Sequence, residues 1–212
     1  MARILLISGH GGSDPGAVAN GLTEKTLNWV TMNACSKVLK ENGQTVIEDS
    51  ENTQVNDEVN LINNTNADLT VNFHYNTGGG DGFECYYYTS NSKAKKLCEC
   101  IETEIKAIGQ NSRGLKSGNH LAVISKTRPL SVLVEGGFID SADRYIFDTI
   151  AEQEEFGRAY AKGILKYLGV TPKENTSTDK LYRVQVGAFS VKANAEKLAN
   201  ELKQKGYSTI IV

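Results

Sequence analysis

The sequence lacks any apolar run long enough to cross a membrane. Its longest apolar runs, such as residues 4–7 and 132–134, fall far short of the ~20 residues that a spanning helix needs. The N-terminus also lacks the long apolar core and small-residue cleavage site of a signal peptide. We therefore expect synthesis in the cytoplasm without a membrane anchor, so that any action outside the cell depends on release by other means.

An excess of charge of one sign is also missing. The 212 residues carry 23 Lys and Arg against 25 Asp and Glu, which gives a net charge of −2. A dedicated nucleic-acid-binding domain usually has a pI above ~9, so no nucleic-acid partner is expected. The hydrophobic fraction of 40% is that of an ordinary globular protein.

Cysteine is scarce, with four residues in the chain. Cys98 and Cys100 are separated by one residue and would point about 200° apart on a helix, which argues against a shared metal. Without an export signal the cysteines are expected to stay reduced.

Residues 1–169 alternate between strand-like and helix-like segments. Such an order predicts an α/β fold with a mainly parallel, twisted sheet that is flanked by helices on both faces. The predicted strands are 3–8, 45–48, 69–74, 83–89 and 131–135, and the predicted helical regions are 23–41, 56–66, 92–108 and 143–168.

A polar segment, residues 170–180, predicts a linker. The alternating pattern then restarts in residues 181–212, with a predicted strand at 181–189, an amphipathic helix at 192–205 and a strand at 207–212. The chain is therefore divided into a domain of residues 1–169, the linker and a small C-terminal βαβ unit.

Two of the three histidines lie at the ends of predicted strands. His10 follows the first strand and His74 ends a later one, while Glu24 begins the first long helix. Open α/β sheets bind ligands at the carboxyl ends of their strands. Two imidazoles and one carboxylate could share a metal ion, and three protein ligands with an open fourth position are what a catalytic zinc needs.

Plainer explanations exist for each of these residues. Glu24 could be an acidic first-turn residue that the helix dipole favours. His10 could be a loop histidine, or its glycine-rich turn a phosphate cradle, although the spacing of the phosphate-binding motifs is absent. His74 could be a buried core histidine, and His120 is expected to lie in a loop.

Glu135 is the fourth candidate residue. It ends an apolar strand and is followed by two glycines. A carboxylate at the end of a buried strand is costly unless it has a partner or a task. Beside a metal it could act as a general base and then as a general acid, and the alternative is a salt bridge to Arg128 or Lys126.

Together these motifs resemble the zinc-dependent N-acetylmuramoyl-L-alanine amidases of the amidase_3 family over about residues 3–168. The segments that carry the resemblance are GHGGSDPGAVANGLTEKTLN, ADLTVNFHYN, GFECYYY and RPLSVLVEGGFIDSADRYI. The resemblance implies one Zn²⁺ ion per chain, held by His10, Glu24 and His74, with Glu135 as the catalytic residue. The implied reaction is hydrolysis of the amide between N-acetylmuramic acid and L-alanine in bacterial peptidoglycan.

The C-terminal segment resembles the first half of a SPOR domain, a cell-wall-binding module. One reading is a weakened remnant of that module. The other is a homodimer in which two half-modules, residues 181–212 of each chain, rebuild one sheet, since an isolated two-stranded unit is marginally stable.

The sequence resembles this amidase family and shows no obvious export signal. These two features together suggest a cell-wall lytic enzyme of Gram-positive type. It would be an endolysin released by a holin, or an autolysin freed when a mother cell lyses. Two alternatives use the same residues: a metallopeptidase that cuts within the stem peptide, and a non-catalytic wall-binding protein with a structural metal.

Overall fold

The computed structural model describes residues 1–50, 55–173, 186–207 and 209–211. The chain divides into two units, Met1–Pro172 and Lys173–Val212. The larger unit contains every described strand. In chain order these strands are β1 (Arg3–Ser8), β2 (Val18–Ala19), β3 (Leu22–Thr23), β4 (Thr45–Glu48), β5 (Leu69–Asn76), β6 (Phe83–Tyr87), β7 (Ser112–Ser117) and β8 (Leu130–Phe138).

The described helices of the larger unit are α1 (Glu24–Glu41), α2 (Val55–Asn64), α3 (Ser92–Ala107), a short α4 (Ala122–Ser125) and α5 (Ile150–Tyr167), with a 3₁₀ turn at Ala142–Ile146 before α5. Local sequence explains where two of them begin. The Asn91 side chain accepts hydrogen bonds from the first backbone N–H groups of α3, and Thr149 with Glu152 forms a capping box at α5. No helix in the described ranges is both long and apolar enough to cross a membrane.

Six of the described strands form one sheet in the order β4-β1-β5-β8-β6-β7. The strands β4, β1, β5 and β8 are parallel, whereas β6 is antiparallel to β8 and parallel to β7. The predicted mainly parallel α/β sheet is confirmed. Sequence analysis did not predict β7, because its residues, SRGLKS, contain a single large apolar side chain.

Helices pack on both faces of this sheet, as predicted. One face carries the larger core, to which α1, α3 and α5 contribute, and the other carries a smaller core with Ile62 of α2 and Val123 and Ile124 of α4. Alternate residues of each strand serve the two faces. In β1, Ile4 and Leu6 join the larger core, and their neighbours join the smaller one.

The same alternation determines which face of the sheet the polar residues of β5 and β8 occupy. Leu69, Val71 and Phe73 of β5 belong to the larger core, as predicted, so that Thr70, Asn72 and His74 share the opposite face. In β8, Val134 faces the larger core, which places Glu135 on the same side of the sheet as His74.

The packing of α5 against α1 depends on Gly157. A Cβ atom at this position would lie closer than 3.0 Å to backbone atoms of Thr31 and Cys35 in α1. We expect Gly157→Ala to lower the free energy of unfolding by about 1–3 kcal/mol, because the strain of forcing two helices apart exceeds the gain in helix propensity. Chemical denaturation measures the effect, with exposed Lys162→Ala on the same helix as the control; a Gly157→Ala protein as stable as the wild type would contradict this account.

All four cysteines are buried free thiols in the larger unit. Burial raises the pKa of the Cys35 thiol, and burial with the nearby Cys98 raises that of Cys85. The thiols therefore behave as small apolar groups in the core.

The smaller unit contains a described helix, α6 (Lys192–Gln204), which confirms the helix predicted there. Ala199 is its buried residue. The strand predicted at 181–189 falls mostly outside the described residues, and the one predicted at 207–212 is interrupted by two such positions. The βαβ arrangement, the linker and the domain limits given above therefore stay predictions.

Candidate metal centre

Three residues from separate elements meet at the carboxyl ends of β1 and β5. His10 lies two residues beyond β1, Glu24 is the first residue of α1, and His74 is near the end of β5. One potential ligand atom from each side chain lies within 4.8 Å of the others. Sequence analysis predicted this trio, and the structure places it together.

The Glu24 carboxylate bridges the two imidazoles. Its Oε1 lies 2.9 Å from His74 Nδ1, and its Oε2 lies 3.2 Å from His10 Nε2. The backbone N–H groups of Ala17 and Tyr75 also donate hydrogen bonds to this carboxylate. The helix dipole alone therefore does not explain Glu24, since its side chain is 6% exposed and each carboxylate oxygen faces a histidine.

Charges within the trio are strongly coupled. Burial alone would raise the pKa of Glu24, but its hydrogen bonds with His10 and His74 lower it well below the usual range. The Glu24 carboxylate in turn raises the pKa of His10 to about 9 and, against the effect of burial, raises that of His74. A cation is therefore favoured at this point, whether it is a proton or a metal ion.

Two glycines allow the trio to come so close. A Cβ at Gly9 would clash with the His74 ring, and one at Gly16 would lie 2.6 Å from Glu24 and 2.7 Å from His10. The Asn28 side chain donates a hydrogen bond of 2.7 Å to the Gly9 carbonyl and fixes this turn. No larger residue fits at either glycine without displacing a ligand.

Asp14 supports His10 from the far side of its ring. Its Oδ2 lies 2.9 Å from His10 Nδ1, which leaves Nε2 directed at Glu24. Metal-ligating histidines commonly use their second nitrogen in this way, and the partner fixes the orientation of the ring. Sequence analysis missed Asp14, although its position four residues after His10 in a glycine-rich turn is a usable signal.

Glu135 lies beside His74 on the neighbouring strand. The two residues are direct partners in the parallel register of β5 and β8. Its Oε2 is buried without a hydrogen-bond partner, and no ion pair joins it to Arg128 or Lys126 among the described residues. Burial raises the pKa of Glu135 to about 7, with His74 opposing the rise, so this carboxyl can exchange a proton near neutral pH.

Sequence analysis also missed a second carboxylate, which lies beside Glu135 on the next strand of the sheet. Glu84 of β6 is the antiparallel partner of Glu135 and is buried. Arg113 and Tyr86 bind its two oxygens, each at 2.6 Å. The alternation within GFECYYY was the available signal, because it places Glu84 on the opposite face of the strand from Phe83 and Cys85.

The loop between β5 and β6, residues 77–82, is held at both of its ends. Asp140 accepts hydrogen bonds from the backbone of Gly78 and Gly79, and Asp143 accepts one from Gly82. The loop starts three residues after His74, and these bonds to its backbone fix its position. His120 is exposed and lies against Tyr86, apart from the trio.

The donor set fits a divalent metal ion of borderline softness. Two imidazole nitrogens and one carboxylate, with Asp14 as an outer partner, match the chemistry of a catalytic zinc site better than that of magnesium or calcium. The side chains of His10 and His74 are 23% and 15% exposed, so the centre is open on the side where a substrate would approach.

Two known families match this chain. The profile of the family described as N-acetylmuramoyl-L-alanine amidase matches residues 4–166, and that of the SPOR domain matches residues 178–212. A sporulation-specific N-acetylmuramoyl-L-alanine amidase of Bacillus subtilis is 35% identical over 220 residues, covering 100% of this chain and 85% of that protein. An endolysin of Bacillus phage SPP1 is 31% identical, covering 85% of this chain and 71% of its own.

Solved structures show the same fold. The CwlD amidase of Clostridioides difficile, in complex with the GerS lipoprotein, has a TM-score of 0.74 and 25% identity, covering 80% of this chain and 99% of its own. The catalytic domain of CwlV, an amidase of Bacillus (Paenibacillus) polymyxa, has a TM-score of 0.73 and 27% identity, covering 81% and 100%. This chain belongs to the N-acetylmuramoyl-L-alanine amidase family.

Proposed function

We propose that the protein hydrolyses the amide between N-acetylmuramic acid and L-alanine in peptidoglycan, with one Zn²⁺ ion held by His10, Glu24 and His74. The observation that carries the proposal is the trio itself, together with the Glu135 carboxyl on the adjacent strand, whose Oε2 has no hydrogen-bond partner within the described ranges. Membership of the amidase family supports the reaction.

A zinc ion at this centre would act as a Lewis acid toward the amide carbonyl and would make a water molecule more acidic. Glu24 brings a negative charge to the metal through a carboxylate that backbone N–H groups already orient. Asp14 holds the His10 ring so that Nε2 is the available ligand atom. The fixed geometry means that little rearrangement is needed when substrate binds.

Glu135 performs the proton transfers. Its carboxylate accepts a proton from the attacking water while the water oxygen bonds to the amide carbon. The carboxylic acid then gives that proton to the L-alanine nitrogen as the carbon–nitrogen bond breaks. A pKa of about 7 suits both halves of this cycle, because the group is neither fully protonated nor a weak base near neutral pH.

We further propose that residues 178–212 attach the enzyme to the cell wall. The SPOR match supports this role, as do several exposed apolar side chains, namely Val186, Phe189, Val191 and Tyr207. The homodimer of half-modules stays a prediction. So does synthesis in the cytoplasm followed by release through a holin or mother-cell lysis, a setting in keeping with the names of the sporulation-specific and phage relatives.

Mass spectrometry of products from purified Gram-positive peptidoglycan tests the reaction. We expect free stem peptides that begin with L-alanine, beside intact glycan strands, and no such products after the metal is removed with a chelator. Shortened stems still attached to muramic acid would indicate a peptidase instead. No product from the zinc-loaded protein would favour a wall-binding role.

A further inference from the structure

A cationic edge, formed by Arg113 and Lys116 of β7, lies beyond Glu84 in the order of the strands, on the same face of the sheet as Glu135 and His74. Across the sheet, His74 of β5, Glu135 of β8 and Glu84 of β6 occupy consecutive register positions. Adjacent strands are ~4.8 Å apart. Two strand spacings, ~9.6 Å, separate β7 from β8, so the residues of β7 approach Glu135 only through long side chains that extend back to Glu84.

A β-bulge in β7 directs two cations toward this row. The register between β6 and β7 shifts between Phe83 and Cys85, and Gly114 at the shift has φ +86°. A bulge re-aims the side chains that flank it. Arg113 Nε consequently lies 2.6 Å from Glu84 Oε1, and Lys116 Nζ lies 4.0 Å from the same oxygen.

The Arg113 guanidinium is held in place through its Nε, while its two terminal amino groups remain available to a ligand. Glu84 takes its Nε, and the Phe138 ring lies 5.3 Å below its central carbon. Its two terminal amino groups have no hydrogen-bond acceptor among the described residues, and the side chain is 44% exposed. A guanidinium with both terminal groups available is well suited to bind a carboxylate through two hydrogen bonds.

Two cations and the Glu84 carboxylate share this edge. Glu84 balances one of the two cations, and Tyr86 donates a hydrogen bond to its other oxygen, so Glu84 itself is fully engaged. Asp143 also acts on Arg113, and Lys116, whose side chain is 38% exposed, adds a second cation at the solvent-facing edge. The edge thus presents two cations at the end of the row formed by His74, Glu135 and Glu84.

We propose that Arg113 and Lys116 bind a carboxylate of the stem peptide and so make the enzyme selective for acidic stems. The inference rests on the proposed function and names a substrate feature for it. The residue after L-alanine in the stem is a D-glutamate joined through its side chain, so its α-carboxyl group is either free or amidated. That carboxyl group lies one residue beyond the cleaved bond, and the cationic edge lies one strand beyond Glu84, the neighbour of Glu135. Glu84 acts as the positioning residue for Arg113.

The test compares two soluble muramyl peptides that differ only in this group, a free α-carboxylate in one and an amide in the other. We expect the wild type to cleave the acid with a kcat/KM about tenfold higher, in line with a charge-assisted hydrogen-bonded pair. Arg113→Gln should reduce that ratio to about twofold or less while the amide substrate is cleaved nearly as before. Arg113→Lys should give an intermediate ratio, because it keeps the charge and loses the fork.

Two further variants keep the test decisive. Arg113→Gln leaves the buried Glu84 without its cation, so the double variant with Glu84→Gln is measured as well and should also lose the preference. Arg158→Gln, a surface arginine on α5, serves as the matched control and should retain it.

A wild type that cleaves both substrates equally well would overturn the inference alone. So would an Arg113→Gln protein that loses both activities in the same proportion, since that outcome marks a purely structural residue. Failure of the wild type to cleave either substrate would overturn the proposed function and this inference with it.

Discussion

Glu135→Gln should lower kcat for amide hydrolysis by about 10³-fold while the fold and the bound metal are retained. Glutamine matches glutamate in shape, but it cannot accept a proton from water or return one to the leaving nitrogen. General acid–base catalysis contributes on the order of 10²–10⁴-fold, which sets the size of the loss. In the described part of the chain nothing donates a hydrogen bond to the Oε2 atom, so the substitution breaks no bond seen there.

The measurement is kcat with a soluble muramyl peptide, accompanied by the zinc content of the purified protein. Glu154→Gln on the exposed face of α5 is the control for removal of one carboxylate and should be fully active. A Glu135→Gln enzyme within about tenfold of the wild type would remove Glu135 from the proton-transfer role.

His74→Ala should weaken zinc binding by more than about 100-fold and abolish hydrolysis with it. Outer-shell changes at metal centres cost about 10–100-fold in affinity, and loss of a direct ligand should cost more. Asp14→Asn tests the lower end of that range, because Asp14 contacts His10 and not the proposed metal position. The two variants together separate a ligand from its supporting residue.

Competition with a chromophoric chelator at fixed pH measures these affinities. The pH must be held constant because bound protons compete with the metal at His10. His120→Ala is the matched histidine control, since His120 is exposed and outside the trio. A His74→Ala protein that binds zinc as tightly as the wild type would show that the metal lies elsewhere.

Much of this centre could be predicted from the sequence, because local pattern fixes it. Strand alternation in β5 places His74 on a defined face, and the position of a residue just after a parallel strand brings it to the ligand-binding edge of the sheet. His10 and Glu135 follow the same logic, whereas Glu24 begins a helix. The pattern alone left open whether the three ligand residues share a metal ion, and the resemblance to the amidase family supplied that assignment.

The features that sequence analysis missed depend on tertiary pairing. The antiparallel direction of β6 leaves no mark in its own residues, and β7 has too few apolar side chains to be recognised as a strand. The contact between Glu84 and Arg113 then requires both that strand pairing and a bulge at Gly114. Such contacts become visible only when the order of the strands is known.

The four buried cysteines have a consequence for an enzyme that leaves the cell. Thiolates, not thiols, undergo oxidation and disulfide exchange, and burial of Cys35 and Cys85 disfavours the thiolate. On the proposed route the protein passes from a reducing cytoplasm into an oxidising medium while folded. Because every thiol is shielded in the core, the enzyme can make that passage without gaining mixed disulfides, and its lytic activity should be independent of the redox state of its surroundings.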